Sequence, residues 1–275
     1  MHTETRPSLT RWFKTMGYRQ ISPWYRTSKD TVDDFNTIGK NLKILKVIPN
    51  PLPFYDLIMG FYERPSNRCA LRGPILSTAQ KIIEVGVGTG YLLGRLIAAT
   101  TPQQEITAVD LSQQMLDTAQ AYLARKKLLS RRVLFRNGDC QDLPWPDNTF
   151  DLFVSSYLLD LLPENEIDRA IYQLERVLKP EGCAILITMT TELDGATRLA
   201  KPLMRLMNEC YCLGYDRGRW NPLWKFLFAG YAPHCRPISL GKYLAKSSRL
   251  VLTYTKLSRV SFFPVRIYYV RKKSG

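Results

Sequence analysis

The chain has 275 residues, a length that suits one large α/β domain with appendages or two modest domains. With 45% hydrophobic and 11% aromatic residues it can bury a full core, which argues against a disordered protein. The net charge of +15 is unevenly spread, with +6 on residues 1–75, −4 on residues 76–200 and +13 on residues 201–275. Basic ends attract an anionic membrane, nucleic acid or an acidic small molecule, and charge alone does not choose among these partners.

Targeting signals and cysteine usage indicate the compartment. The N-terminus lacks the apolar region of a signal peptide, and no run of about 18 apolar residues predicts a transmembrane helix. The six cysteines form no CxxC pair, which is typical of reduced thiols, and we predict no metal site. We therefore expect a cytoplasmic protein whose basic ends allow peripheral association with a membrane.

The first 52 residues form a basic, aromatic extension that ends in a Pro-rich stretch. Within it, Leu9, Trp12, Phe13 and Met16 recur at helical spacing and predict one short amphipathic helix. Two interpretations of this helix stay open, since it can pack on the main domain or lie at a membrane surface. We assign residues 53–275 to the main domain.

From about residue 80, strand-like and helix-like segments alternate. Strands are predicted at 81–87, 105–111, 132–138, 150–159 and 182–189, and helices at 91–100, 112–127 and 165–179. Residues 190–247 are predicted to be helical and irregular, and residues 249–257 and 263–273 to be two last strands. Strands separated by helices predict an α/β fold with a doubly wound, mostly parallel sheet covered on both faces.

A glycine loop follows the first predicted strand. Gly86, Gly88 and Gly90 stand where the chain turns from strand to helix, at the edge where open α/β sheets bind ligands. Glycine there permits positive φ and lets backbone approach a ligand. The GxGxG spacing with Tyr91 argues against NAD or FAD, and a P-loop is excluded because no Lys-Ser/Thr follows.

Two carboxylates end the next strands. Asp110 ends the second strand and can accept hydrogen bonds from both hydroxyls of a ribose. Asp139 ends the third strand and can accept from an adenine amino group, with the backbone of Cys140 nearby. The loop and the carboxylates together predict a site for an adenosine-like ligand.

These segments together resemble the class I S-adenosylmethionine-dependent methyltransferases, within the group of ubiquinone/menaquinone methyltransferases and bacterial phosphatidylethanolamine methyltransferases. The segments that carry the resemblance are EVGVGTG (84–90), AVDLS (108–112), NGDCQDLP (137–144), FDLFVSS (150–156) and RVLKPEG (176–182). The resemblance implies a Rossmann-like, seven-stranded sheet in the order 3-2-1-4-5-7-6 with strand 7 antiparallel. It also implies an N-terminal helical extension and a helical lid at residues 192–240 on the substrate side.

The resemblance also implies cofactor contacts for S-adenosylmethionine, whose product is S-adenosylhomocysteine. The glycine loop would hold the methionine end with Glu84 beneath it, and Asp110 would hold the ribose. The remaining implied contacts are Leu111 and Met115 beside the adenine, Asp139 and Cys140 at its edge, Ser155 and Ser156 beside the sulfonium, and Tyr55 closing over the cofactor.

The reaction that the resemblance implies is an in-line methyl transfer, which chiefly needs alignment and exclusion of water. Candidate catalytic residues are Tyr157, as an active-site wall, and His234, as a base. Asp160 follows the same strand and is expected in the region next to the transferring methyl, or else to face solvent or to cap the next helix. Substrate-lining candidates in the lid are Tyr211, Arg217, Arg219, Trp220 and Arg236, which suit an amphipathic acceptor.

Three functions fit these features. The leading one is a methyltransferase for a small, lipid-like or quinone-like acceptor. A second is a methyltransferase for RNA or protein recruited by the basic C-terminal segment, although no Asn-Pro-Pro-Tyr-type motif follows the fourth strand, which makes nucleic acid the less favoured partner. A third is a cofactor-binding regulator without turnover. Oligomeric state is not predicted.

Overall fold

The computed structural model describes residues 64–71, 75–129, 132–206, 208, 237–258 and 264–274. The predicted N-terminal amphipathic helix and most of the predicted lid lie outside these described residues. Within the described ranges, no helix is long and apolar enough to cross a membrane.

Seven strands and several helices make up the described part of the chain. The strands are β1 (Lys81–Val85), β2 (Glu105–Asp110), β3 (Val133–Asn137), β4 (Phe150–Ser156), β5 (Leu178–Met189), β6 (Leu250–Ser258) and β7 (Val265–Lys272). The helices are α1 (Ile75–Thr78), α2 (Tyr91–Ala99), α3 (Gln113–Arg125), α4 (Glu164–Val177) and α5 (Leu240–Leu244). Residues 64–70 and 200–206 are helical as well.

The strands form one sheet in the order β3-β2-β1-β4-β5-β7-β6, which confirms the predicted topology. Strands β1 to β5 pair in parallel, and β7 runs antiparallel to both β5 and β6. The chain builds outward from β1 through β2 to β3 and then returns to place β4 on the other side of β1. This reversal creates a crevice at the carboxyl ends of β1 and β4, where open α/β sheets bind their ligands.

Both faces of the central strands are buried, as the apolar strand sequences predict, whereas the edge strands β3 and β6 are largely exposed. Along β1, Ile82 belongs to one apolar cluster and Ile83 to the other, because successive side chains of a strand point to opposite faces. Helices α2 and α3 cover the first face, and α4 covers the second with Ile167, Ile171 and Leu174 at helical spacing. The sheet is thereby a rigid support for the loops at its carboxyl edge.

Candidate functional site

A cleft opens at the carboxyl edge of β1 to β4, and we call it the cleft throughout. Its walls come from the turn after β1, the start of α3 after β2, the turn after β3 and the turn after β4. The lining residues are Asn67, Glu84, Val85, Gly86, Val87, Gly88, Thr89, Tyr91, Leu92, Asp110, Leu111, Ser112, Met115, Gly138, Asp139, Cys140, Ser156, Tyr157, Leu158, Leu161 and Leu162. Most of the residues that the sequence singled out therefore meet in one place.

The glycine loop of residues 86–90 needs glycine at two positions for different reasons. Gly90 has φ +85°, and a Cβ built there would lie 2.8 Å from Cβ of Ala119, so the close approach of the loop to α3 leaves no room for a side chain. Gly88 has φ +55°, and a Cβ built there would meet nothing within 4 Å. Gly88 thus presents bare backbone to an open cleft, where a ligand can approach it closely.

Asp110 connects the glycine loop to the start of α3. One carboxylate oxygen accepts from the backbone N–H of Gly88 at 2.8 Å, and the other accepts from that of Ser112 at 2.9 Å. A carboxylate has about four acceptor positions, so each oxygen keeps capacity for a further donor from the cleft. Burial raises the pKa of Asp110, while the two backbone donors lower it in part.

Glu84 lies below the loop, at the end of β1. Its side chain is only 1% exposed, and its Oε2 atom is buried without a hydrogen-bond partner. Burial, together with the nearby charge of Asp110, raises the pKa of Glu84 well above its ordinary value. A buried carboxyl oxygen that lacks a partner is costly and calls for a donor or a cation in the cleft.

The turn after β3 and the start of α3 form one end of the cleft. Leu111 and Met115 line it, and the Ser112 side chain fixes this stretch by accepting from the Met115 N–H at 3.3 Å. Asp139 lines the cleft too, with one carboxylate oxygen accepting from the Gln141 N–H at 2.9 Å.

Cys140 completes this end as a small buried side chain. Burial raises the pKa of its thiol, and the neighbouring charge of Asp139 adds to the effect, so the group is an uncharged wall and not a nucleophile.

The turn after β4 corrects two expectations. Ser155 was expected beside the ligand, but its hydroxyl is buried and donates to the Val85 carbonyl at 2.9 Å, because it points to the opposite face from Ser156. Asp160 was expected next to the transferring methyl, at the surface or at a helix cap, but it does not line the cleft. It is fully buried and accepts from the Met189 N–H at 2.9 Å, which ties the turn to the end of β5.

Ser156 and Tyr157 line the cleft. They are held by residues that the sequence did not single out. The Ser156 hydroxyl donates to the Asn67 side-chain oxygen at 2.8 Å, and the hydroxyls of Tyr157 and Ser66 lie 2.7 Å apart. Tyr157 has φ +53°, an uncommon conformation for a bulky residue.

The 64–71 segment therefore closes one side of the cleft, with Asn67 in its wall. Arg64 stacks over the Tyr91 ring at 5.1 Å, and Arg68 donates to the Tyr91 hydroxyl at 3.3 Å. The Ala70 carbonyl accepts from the Tyr269 hydroxyl at 3.0 Å, which joins the segment to β7. The sequence could hardly predict the role of this segment, because Ser66 and Asn67 are two polar residues before the first strand and resemble an ordinary surface turn.

Several predicted site residues fall outside the described part of the chain. These are Tyr55, His234, Tyr211, Arg217, Arg219, Trp220 and Arg236. Among the described residues, no group of three or more His, Cys, Asp or Glu side chains is arranged to hold a metal ion.

Comparison with known proteins identifies the activity that this cleft serves. Residues 82–182, which span β1 to the first part of β5, match the family model of a methyltransferase domain. A demethylmenaquinone methyltransferase of Desulfitobacterium hafniense is 28% identical over 200 residues, covering 73% of this chain and 70% of the relative. A ubiquinone/menaquinone biosynthesis C-methyltransferase of Pseudomonas entomophila is 23% identical over 199 residues, covering 71% of this chain and 67% of the relative.

Residues 82–182 form a methyltransferase domain, and the enzyme uses S-adenosylmethionine. The fold of this methyltransferase is also found in solved structures. The complex of the Haloferax volcanii Trm112 methyltransferase activator and a putative methyltransferase contains a chain with a TM-score of 0.58 at 16% identity, covering 80% of our chain and 94% of its own. The [4+2]-cyclase SpnF gives a TM-score of 0.55 at 21% identity, covering 77% and 81%. Since one of these proteins is a cyclase, these likenesses show the fold alone.

The cleft of the methyltransferase fits S-adenosylmethionine in shape and charge. The cofactor carries a cationic sulfonium and an ammonium group, and the cleft offers two buried or half-buried carboxyls, one with an orphan oxygen. A Cβ at Gly88 would meet no protein atom, so the bare backbone leaves room for the ligand.

Proposed function

We propose that this methyltransferase transfers the methyl group of S-adenosylmethionine to an amphipathic, quinone-like acceptor. The observation that carries the proposal is the division of the cleft into two chemically different halves. The half at the ends of β1, β2 and β3 holds Glu84, Asp110 and Asp139, and the half at the turn after β4, on the other side of β1, is lined by Tyr157, Leu158, Leu161 and Leu162. An anionic half suits the cationic cofactor and an apolar half suits an acceptor that is largely hydrocarbon.

In the anionic half, the proposed contacts follow from the acceptor atoms that remain. Asp110 would accept from the ribose hydroxyls with the capacity left after its two backbone bonds. Glu84 would face the cationic methionine end from below the glycine loop, which gives its orphan oxygen a favourable partner.

At the far end of the same half, Leu111 and Met115 would border the adenine, and Asp139 with Cys140 would meet its edge. We assign Ser156 to the region between the halves, and Gly86, Gly88 and Gly90 to the methionine end.

S-adenosylmethionine, when bound, supplies a methyl group made electrophilic by its positive sulfur. The protein's own part is to hold the acceptor in line and to exclude water, since alignment alone contributes roughly 7–11 kcal/mol in well-oriented reactions. Tyr157 and Leu158 would form the wall that does this. The Tyr157 hydroxyl is oriented by Ser66 at 2.7 Å, which fixes the ring as a positioning surface.

The described lining of the apolar half contains no carboxylate and no histidine. A general base must lie within hydrogen-bond reach of the proton that it removes. Tyr157 is the ionisable side chain among the described residues of that half, and we assign the base role to it or to His234, which lies outside the described part.

The proposal also concerns the partners of the enzyme. Relatives named as ubiquinone/menaquinone methyltransferases support a quinone-like acceptor for this chain. The N-terminal extension of residues 1–52 and the segment 192–240 are proposed to complete the acceptor side.

The test uses the full chain and S-adenosylmethionine labelled in its methyl group. Four acceptor pools are offered separately: reduced demethylated prenyl quinone, phosphatidylethanolamine, total RNA and a protein extract. We expect label in the quinone product, and no label above background with Asp110→Ala. Label confined to phosphatidylethanolamine, RNA or protein would overturn the acceptor class, and cofactor binding without label in any pool would indicate a regulator.

A further inference from the structure

The helix at residues 200–206 presents its leucines in an unusual direction. Leu203 and Leu206 are 44% and 54% exposed, and Leu199, in the turn just before the helix, is 90% exposed, although leucines of a helix in a globular protein normally face its core. At 100° per residue the three side chains lie within about 60° of one another. They form one stripe along the helix, which we call the leucine stripe.

The opposite face of the same helix is the one that packs on the domain. Met204 and Asn208 are buried there. The Asn208 amide nitrogen donates to the Thr190 carbonyl at 3.0 Å, directly after β5. The inner face of the helix is thus fixed to the domain, and the leucine stripe points away from it.

Basic residues lie beside the leucine stripe. Arg198 and Arg205 are exposed and lie on one flank, about 80–100° from Leu206 at 100° per residue, whereas Lys201 is half-buried on the anchored side near Asn208. The segment from residue 201 onward carries a net charge of +13. Leucines on an outward face with cations along one flank are the pattern of a helix that lies in the interface of an anionic bilayer, where apolar burial and charge attraction act together.

The position of the helix relates the stripe to the cleft. Thr190, which anchors the helix, follows the end of β5, and the backbone N–H of Tyr157 donates to the Ile187 carbonyl of β5 at 2.8 Å. The helix and the apolar half of the cleft therefore stand at the same edge of the sheet.

We propose that the leucine stripe with its basic flank docks this enzyme on an anionic lipid surface. The leucines enter the headgroup–acyl boundary, and Arg198 and Arg205 meet lipid phosphates. This docking depends on the surface alone and does not require that the acceptor be a quinone. If the acceptor is lipid-soluble, the docked orientation brings the acceptor edge of the fold to the membrane.

The test is sedimentation of the full chain with phosphatidylcholine vesicles, at low and at high salt. One set of vesicles is pure phosphatidylcholine, and the other contains about one phosphatidylglycerol in three lipids. We expect binding to the anionic vesicles that falls with salt. The triple variant Leu199→Gln, Leu203→Gln, Leu206→Gln should bind about ten-fold or more weakly. Cofactor affinity and thermal midpoint should be unchanged, which shows that the variant is folded.

The chain offers a matched control on another surface. Arg125, Lys126, Lys127 and Leu129 also combine exposed cations with an exposed leucine. Changing those four residues to Gln removes more charge than the leucine variant but should leave vesicle binding within about two-fold.

Three results would overturn the proposal. They are a wild-type chain that binds no anionic vesicle, a leucine variant that binds as the wild type does, and a control variant that loses binding as strongly. A wild-type dimer that the leucine variant converts to monomer, with vesicle binding unchanged, would assign the stripe to a second copy instead. If the enzyme transferred no methyl group to quinones, these vesicle-binding measurements would still test the docking proposal.

Discussion

Alanine substitutions at Gly88 and Gly90 should separate ligand binding from stability. Both glycines have positive φ, but their surroundings differ. A Cβ at Gly90 would lie 2.8 Å from Cβ and 2.9 Å from Cα of Ala119, whereas a Cβ at Gly88 would have no neighbour within 4 Å. Gly90→Ala therefore meets both backbone strain and a collision with α3, and Gly88→Ala meets backbone strain only.

The expected magnitudes follow from these two contributions. A non-glycine residue in the left-handed region costs about 1–2 kcal/mol, and overpacking in a tight contact costs about 1–3 kcal/mol. Gly90→Ala should therefore lower the free energy of unfolding by about 2–5 kcal/mol. Gly88→Ala should lower it by about 1 kcal/mol, because reduced entropy of the unfolded chain offsets part of the strain. Its new methyl group would instead occupy the cleft and weaken cofactor binding about ten-fold or more.

The assays are urea denaturation for stability and titration calorimetry for S-adenosylmethionine binding. Gly195→Ala is a matched control, since Gly195 has φ +86°, no neighbour within 4 Å of a built Cβ, and no place in the cleft. It should resemble Gly88→Ala in stability and the wild type in affinity. Equal stability losses at Gly88 and Gly90, or unchanged affinity in Gly88→Ala, would refute this reasoning about the loop.

Three further substitutions test the rest of the cleft. Asp110→Asn should weaken S-adenosylmethionine about 10- to 100-fold by calorimetry, because charged hydrogen bonds are lost; retained affinity would contradict the ribose assignment. For Glu84, the raised pKa means that the folded state holds its proton more tightly, so the stability contributed by this group falls as pH rises above 4.5, its unfolded value. Glu84→Gln should therefore gain stability relative to the wild type between pH 5 and 8 in urea titrations, and a constant difference would count against it. Asn67→Ala should raise the KM for acceptor through a loosened Ser156, with stability lowered by about 1 kcal/mol; an unaltered KM would argue that Asn67 is structural only.

The sheet could be predicted almost completely because its signals are local. Buried parallel strands are continuous apolar runs, and the intervening helices repeat apolar residues at helical spacing. The predicted strands differ from the observed ones mainly at their first or last residues. Strand β4 was expected to continue to residue 159 but ends at Ser156, because Tyr157 turns with positive φ. Strand β5 begins at Leu178, earlier than predicted, since residues before Gly182 already pair with β4.

The site was predictable where it depends on one strand end at a time. The glycine loop, Asp110 and Asp139 follow successive strands, and parallel strands bring their carboxyl ends together. What the sequence did not reveal depends on side-chain direction and on long-range contacts. Ser155 and Ser156 are adjacent, yet only the fold decides which of them faces the cleft. Asn67 lies 89 residues before Ser156, and no local sequence pattern predicts a contact between residues so far apart in the chain.

The two carboxyls of the cleft explain why the glycine loop and the carboxylates occur together. An isolated buried carboxylate is costly, and for Glu84 the nearby charge of Asp110 raises this cost further. Asp110 offsets part of the cost of its own burial by accepting hydrogen bonds from the backbone N–H groups of Gly88 and Ser112. The carboxylate that we assign to ligand binding therefore also fixes the glycine loop. Glu84 has no such donor on its Oε2 atom. A bound cationic ligand would stabilise both charges at once. Without it, the two buried carboxyls lower the stability of the free protein, but they keep the cleft already shaped for its cofactor.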